Sequence, residues 1–277
     1  MSANAEQIEY WNGRVGNRWA ALQETIDASL AAIGGAALSF AAAKPGERVL
    51  DIGCGCGTTT LALAKAVAPM GVVEAIDISA PMLDLARERT KAAGVKIGFM
   101  QADAATHLFS ARFDLVFSRF GVMFFGDPVS AFANIREALA RRGRLAFVCW
   151  RGVGENLWAS VPIAAARDLI PPQPAGDPHA PGPFAFADRD RLHGILEQAG
   201  FANIRIEALD TTMYMGTNVT EAAQQALNIG PLARAATELD EAQREKIRGV
   251  VATAMEKHKT AQGVTPAAAC WLVGATL

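Results

Sequence analysis

The residues best suited to chemistry stand in one short run, Val49-Leu50-Asp51-Ile52-Gly53-Cys54-Gly55-Cys56-Gly57-Thr58. Glycines at 53, 55 and 57 leave no Cβ between the backbone and a ligand. A loop that opens straight into a helix also presents that helix's unpaired N–H groups. Asp77 closes the next apolar run, where a carboxylate can accept from both hydroxyls of a ribose. The plainer reading of Asp77 is an acid favoured by a helix dipole. Gln101-Ala102-Asp103-Ala104 closes the third run. There Asp103 can accept from an exocyclic amine of adenine while a neighbouring backbone N–H donates to a ring nitrogen. Alone, Asp103 would be a turn residue. Asp51, Asp77 and Asp103 together put acids at three successive strand ends, along one edge of a sheet. That arrangement suits a nucleoside-containing cofactor.

The loop spacing separates two such cofactors. The dinucleotide fingerprint G-x-G-x-x-G, counted from Gly53, requires a glycine where the chain has Thr58. Counted from Gly55 it meets Thr60 and fails again. The loop therefore argues against a nicotinamide oxidoreductase, which stays an alternative. Past the fourth apolar run, Arg119 is placed either to hold an acidic substrate or to pair with a structural carboxylate. Phe120, Met123, Phe124 and Phe125 suit the wall of an apolar acceptor pocket, or the core. Of the four histidines, His179 lies in a Pro-rich loop and is the best-placed candidate for a general base, and His107, after the third run, can stand at the rim; the plainer reading of all four, His193 and His258 included, is a surface or packing residue. Trp11 and Trp19 can cover a bound cofactor or pack in the core.

The elements that must position these residues alternate. Residues 5–43 read as helical, up to Lys44-Pro45-Gly46. Short apolar runs at 48–52, 72–76, 96–100, 113–118 and 144–150 read as buried strands. Helices fall between them at 58–68, where the Thr hydroxyls can cap free N–H groups, at 79–93 with Ser79 as cap, and at 128–140. Strands alternating with helices mean parallel βαβ units. The expected architecture is an α/β, doubly wound, Rossmann-like sheet. Residues 1–44 form a helical cap, 45–150 the cofactor-binding half, and 151–277 the remainder. Helical lid insertions interrupt that remainder at about 151–187 and 215–263. The first contains the Pro-rich loop at 171–183, and both belong above the ends of the strands, where ligands bind. A helix at 188–199, a strand at 203–209 and a last apolar run at 268–275 complete it.

Composition removes other functions. Lys plus Arg number 26 against 28 Asp plus Glu, with a net charge of -2. No basic footprint for nucleic acid results, and Arg141, Arg142 and Arg144 read as a solvated turn. Neither a signal peptide nor a membrane-spanning run is expected, which points to the cytoplasm. Cys54, Cys56, Cys149 and Cys270 have no zinc-site spacing and read as reduced thiols, with no metal.

VLDIGCGCG, AIDIS, QADA and FDLVFSRFGVMFFGDP resemble the motifs of class I S-adenosylmethionine-dependent methyltransferases, in particular those of ubiquinone and menaquinone biosynthesis and their small-molecule relatives. The resemblance covers roughly residues 45–150. It implies seven strands, mostly parallel, with the last antiparallel. It implies S-adenosylmethionine as cofactor and S-adenosylhomocysteine as product. Gly53, Gly55 and Gly57 would then adjoin the methionine part, Asp77 the ribose, and Asp103 with Ala104 the adenine, with Asp51 and Ile78 also among the cofactor-binding residues. Ser118 would border the transferred methyl, and Trp19 would cover the cofactor. Arg142-Gly143-Arg144 departs from the Pro-Gly-Gly of many relatives. No Asn-Pro-Pro-Tyr or Asp-Pro-Pro-Tyr of amino-methylating DNA enzymes follows the fourth strand. The expected reaction is methyl transfer to a small molecule; a non-catalytic cofactor-binding protein is the other reading.

Overall fold

The computed structural model describes residues 4–172 and 176–277. The N-terminal stretch is three helices, α1 (Ala5–Asn12), α2 (Arg14–Ala21) and α3 (Gln23–Ala41), broken at Gly13 and Leu22. The alternating part follows: β1 (Arg48–Ile52), α4 (Thr58–Val67), β2 (Val72–Asp77), α5 (Ala80–Ala92), β3 (Gly98–Gln101), β4 (Phe113–Arg119), α6 (Pro128–Glu137) and β5 (Leu139–Trp150). Then come α7 (Leu157–Ala165), α8 (Arg189–Gln198), β6 (Ala202–Thr212), α9 (Val219–Ala226), α10 (Pro231–Ala235) and α11 (Glu241–Met255). A small hairpin of β7 (Lys259–Thr260) and β8 (Gly263–Val264) leads into β9 (Ala267–Thr276).

The seven-stranded sheet has the order β3-β2-β1-β4-β5-β9-β6. β1 pairs in parallel with β2 and β4, and β9 runs antiparallel to both β5 and β6. This is the mostly parallel sheet with an antiparallel last strand that the sequence implied. β1 and β4 are buried along nearly their whole length, as central parallel strands covered on both faces must be. The chain order reverses between these two neighbours, which opens a crevice beyond their carboxyl ends. The segments inserted after β5 and β6 meet: α7, α9, α10 and α11 pack on one another, and α7 also touches β9.

Four local expectations are corrected. Thr58, Thr59 and Thr60 do not cap α4. The N-cap is Gly57 in a left-handed conformation, and the hydroxyls donate to carboxylates: Thr59 and Thr60 to buried Asp51 at 2.9 and 2.7 Å, Thr58 to half-buried Asp27 at 2.6 Å. Gly57 holds the cap position, so the three threonines stand inside the first turn, past the place from which a hydroxyl accepts from the free N–H groups. Ser79 likewise gives its Oγ–H to the Trp11 carbonyl, 2.7 Å away. β5 starts at Leu139, earlier than the apolar run, because Leu139 pairs with Phe113. Arg144 is consequently no solvated turn residue. It forms a fork on Glu47 at 2.7 and 3.0 Å and donates to the carbonyls of Ala41 and Ala42, fastening the end of α3.

Candidate active site

One cleft lies over the carboxyl ends of β1, β2, β4 and β5. Its first wall is the loop after β1. Gly53 and Gly55 have φ of +64° and +53°, a region L side chains rarely adopt. A Cβ on Gly53 would stand 2.7 Å from the Cα of Gly121, so the loops after β1 and β4 touch backbone to backbone. A Cβ on Gly55 would meet nothing nearer than the Met82 sulfur at 4.0 Å, so that face of the loop is open. Gly57 does not line the cleft; it gives room to Ala86 of α5, whose Cβ would be 3.2 Å away.

The acids differ in placement. Asp77 lines the cleft, although it is only 7% exposed. Its Oδ2 accepts from the Gly55 N–H and its Oδ1 from the Ser79 N–H, both at 2.8 Å. Burial raises its pKa, against backbone hydrogen bonds from Ser79, Gly55 and Ile78. A carboxylate offers about four acceptor positions, so these backbone bonds leave Asp77 capacity for a further donor. Asp103, Ala104 and Ile78 also line the cleft. Asp103 Oδ1 accepts from the Ala105 N–H at 2.9 Å and from Asn4 Nδ2 at 3.0 Å. Asn4 in turn accepts from the Gly126 N–H at 2.7 Å, tying the start of α1 across the cleft.

Asp51 is not on the wall. It is fully buried behind the loop, its Oδ2 held by Thr59 and Thr60 and its Oδ1 without a partner. Burial pushes its pKa up to about 6, a rise that the two threonines and Arg119 oppose and Asp77 reinforces. Ser118 is buried too. Its Oγ–H donates to the Ile52 carbonyl at 2.8 Å and its Oγ accepts from the Gly121 N–H, so it joins two strand ends and borders nothing. Cys54 and Cys56 line the cleft as thiols, since burial raises both, Cys56 to about 12.

The second half of the cleft is aromatic. Phe120, Met123, Phe124 and Phe125 all reach its wall, though Met123 and Phe125 are largely core. Phe120 holds a φ of +63°, costly for a bulky side chain. Its ring lies parallel to Trp150, with centroids 4.3 Å apart, and Trp150 meets Trp158 at 4.8 Å. Met213, Ile229 and Pro183 complete this end. Trp11 and Trp19 roof the cleft, with Trp11 edge-on to Trp19 and Phe124. Arg119 lines the cleft between the halves, and its guanidinium has no hydrogen bond or ion pair with any described residue. His179 is exposed and stays off the wall, and its backbone N–H donates to Asp177 Oδ1.

Sequence reasoning missed several participants. Trp150 ends β5, and its place at a strand end was the available signal. Trp158, Met213 and Ile229 come from the inserted segments and carry no motif. Beneath the loop, Asp27 accepts from Arg89 at 2.8 Å, Gln23 at 2.6 Å and Thr58. Arg89 also donates to the Cys56 carbonyl, bracing the loop from behind. These partners are too far apart in sequence to announce themselves. Among the described residues, no three His, Cys, Asp or Glu side chains gather as a metal site requires, and no helix is long and apolar enough to cross a membrane.

The profile of a methyltransferase domain family matches residues 49–143. Aklanonic acid methyltransferase of Streptomyces sp. strain C5 is 43% identical over 104 residues, 37% of this chain and 47% of that enzyme. The chain thus spans about half the length of the curated relatives it matches first. The ubiquinone/menaquinone biosynthesis C-methyltransferase of Ralstonia pickettii is 30% identical over 172 residues, 59% of this chain and 71% of the relative. Among solved structures, the YcgJ protein of Bacillus subtilis superimposes with a TM-score of 0.57 at 17% identity, over 88% of this chain and 97% of that one. The sheet order, the cleft over its strand ends and the match to the Ralstonia enzyme agree: the chain belongs to the S-adenosylmethionine-dependent methyltransferase family.

Proposed function

We propose that this protein transfers a methyl group from S-adenosylmethionine to a small apolar or aromatic acceptor. The observation that carries the reading is the two-part cleft, with acids and a glycine loop over β1–β3 and stacked aromatic rings over β4–β5. The first part fits the cofactor. Asp77 and Asp103 stand where ribose and adenine are to be held, and Gly55 leaves an open backbone face beside them. When bound, S-adenosylmethionine supplies an electrophilic methyl on a sulfonium.

The chain's own contribution is alignment and dryness. Methyl transfer is an in-line displacement, which benefits most from holding donor and acceptor in register and excluding water. Phe120, Trp150 and Trp158 offer flat apolar surface to orient an acceptor. Among the described residues of that half there is no His, Asp, Glu, Lys or Tyr on the wall, so no side chain stands ready to remove a proton. The N-terminal helices and the two inserted segments act as lids, since all contribute to the wall. The Pro-rich loop belongs to this group through Pro183, and Gly182 donates to the Met123 carbonyl at 3.1 Å; residues 173–175 lie outside the described part. The near-balanced charge suits a small acceptor rather than nucleic acid, and four free, buried thiols suit the reducing cytoplasm.

Calorimetric titration with S-adenosylhomocysteine, with NAD in parallel, tests the reading. We expect micromolar binding of the first and none of the second. Asp77→Ala should weaken S-adenosylhomocysteine by roughly 10- to 100-fold through lost charged hydrogen bonds. Binding of NAD alone would overturn the cofactor class, and unchanged affinity in a folded Asp77→Ala variant would remove Asp77 from the ribose site.

A further inference from the structure

Arg119 is a cation with an unmet need. It lines the cleft at the end of β4, yet its guanidinium bonds to no described residue. Arginine stays charged in proteins, and a half-buried cation on a cleft wall with no protein partner is available to an anion bound there. Burial works against the charge on Arg119, while Asp27 and Asp51 support it from a distance. Neither can satisfy it. Asp27 is already committed to Arg89, Gln23 and Thr58, and Asp51 is enclosed behind the loop. An anion that enters the cleft is the missing partner.

Two anions are conceivable in the proposed reaction: an acidic acceptor, or the carboxylate of the cofactor's amino-acid end. The direction of the side chain decides between them. Arg119 Cδ and Nη1 pass 3.7 and 3.5 Å from where a Cβ on Gly34 of α3 would stand. The charged and thiol groups that bear on it, Asp27, Asp51, Arg89 and Cys56, all belong to α3, β1, α5 and the glycine loop. The aromatic chamber of Trp150, Trp158 and Met213 is built from β5 and the segments after it. Arg119 therefore lies against α3, on the side of these groups rather than among the residues of the acceptor chamber.

We propose that Arg119 anchors the α-carboxylate of the cofactor's methionine end. The proposal rests on the reading of this cleft as an S-adenosylmethionine site, and it assigns to a residue past β4 a contact that the glycine loop alone leaves to backbone N–H groups. A planar guanidinium presents two parallel donors to a carboxylate. It therefore fixes the direction of the amino-acid chain as well as its charge, and so the direction of the sulfonium.

The test compares two ligands that differ only beyond the sulfur. S-adenosylhomocysteine carries the amino acid; 5′-methylthioadenosine keeps the nucleoside and lacks it. Calorimetry on wild type, Arg119→Met and Arg119→Lys measures both. We expect Arg119→Met to lose roughly 10- to 100-fold for S-adenosylhomocysteine and less than about threefold for 5′-methylthioadenosine, with Arg119→Lys recovering part of the loss. Equal losses for both ligands, or thermal unfolding well below wild type in both variants, would make Arg119 a scaffold residue and overturn the proposal. Unchanged binding of both ligands would overturn it in favour of an acidic acceptor. Failure of the wild type to bind either ligand would instead overturn the cofactor reading itself, and the proposal with it.

Discussion

Asp51 shows how a residue of the expected motif can act without touching a ligand. Its carboxyl is buried, half-satisfied by Thr59 and Thr60, and raised from an ordinary 3.8 to about 6. The folded protein thus holds the Asp51 proton more tightly than the unfolded chain does. Stability from this group is fully present below about pH 4 and is lost as pH rises through 6. The size is on the order of 3 kcal/mol, since each tenfold gain in proton affinity is worth about 1.4 kcal/mol. Urea unfolding of wild type and Asp51→Asn between pH 4 and 7, without ligand, checks this. The stability of the variant relative to wild type should climb across that window; a pH-independent difference would show that Asp51 does not titrate there. Ser118 and Gly57 make the same point from their own positions, since both hold the loops in place without facing the cleft. Type and spacing located all three beside the site. Which way each faces depends on partners that the motif does not contain.

The N-terminal helices are the elements whose function was least legible. Their weakly periodic apolar residues announced helix, and Trp11 and Trp19 hinted at a roof. The fastening was hidden, because it uses residues remote in sequence. Asn12 donates to the Ile78 carbonyl at 2.8 Å and accepts from the Ala80 N–H at 3.0 Å, bridging α1 to the loop that carries Asp77. Ser79 holds the Trp11 carbonyl, and Gly16 packs so closely that a Cβ would stand 1.9 Å from that oxygen. Asn4 adds the clasp to Asp103. A roof fastened by local polar contacts at its rim can open for exchange without unfolding the sheet. Asn12→Ala removes two of them, each worth about 0.5–1.5 kcal/mol. S-adenosylhomocysteine should then dissociate roughly tenfold faster by stopped-flow, with little change in the acceptor KM. An unaltered off-rate would mean that the roof does not gate the cofactor. In the alternating part of the chain, by contrast, β1 to β4 and their helices were legible throughout, because short apolar runs closed by glycine and acid leave few other folds. The main departures there were the caps of α4 and α5 and the early start of β5, each settled by a long-range partner.

At the scale of the whole molecule, the cleft is where distant segments of chain converge. The wall takes residues from α1 and α2, the loops after β1, β2, β3 and β4, the end of β5, α7, Met213 after β6, and the link between α9 and α10. The first five strands carry the motifs, so the cofactor end could be read from the sequence. The proposed acceptor end is assembled largely from segments after residue 150 that meet only in three dimensions, and no spacing reports that Trp158 will tilt against Trp150. This division predicts how a ligand propagates. S-adenosylhomocysteine at about a hundred times its Kd should stabilise the fold by about 2.7 kcal/mol. Hydrogen exchange should distribute that gain unevenly. Slowing is expected in α1, α2 and the loops after β1, β2 and β3, which enclose the cofactor end. The link between α9 and α10 should slow less, because its partner is the acceptor, and the β7–β8 hairpin, which contributes nothing to the wall, should not change beyond the global gain. Addition of a true acceptor beside S-adenosylhomocysteine should then slow α7 and that link. Uniform protection along the chain would mean that the two ends are one rigid body that binds both ligands as a unit. Protection confined to the inserted helices would place the cofactor at the aromatic end and reverse the assignment of the two halves.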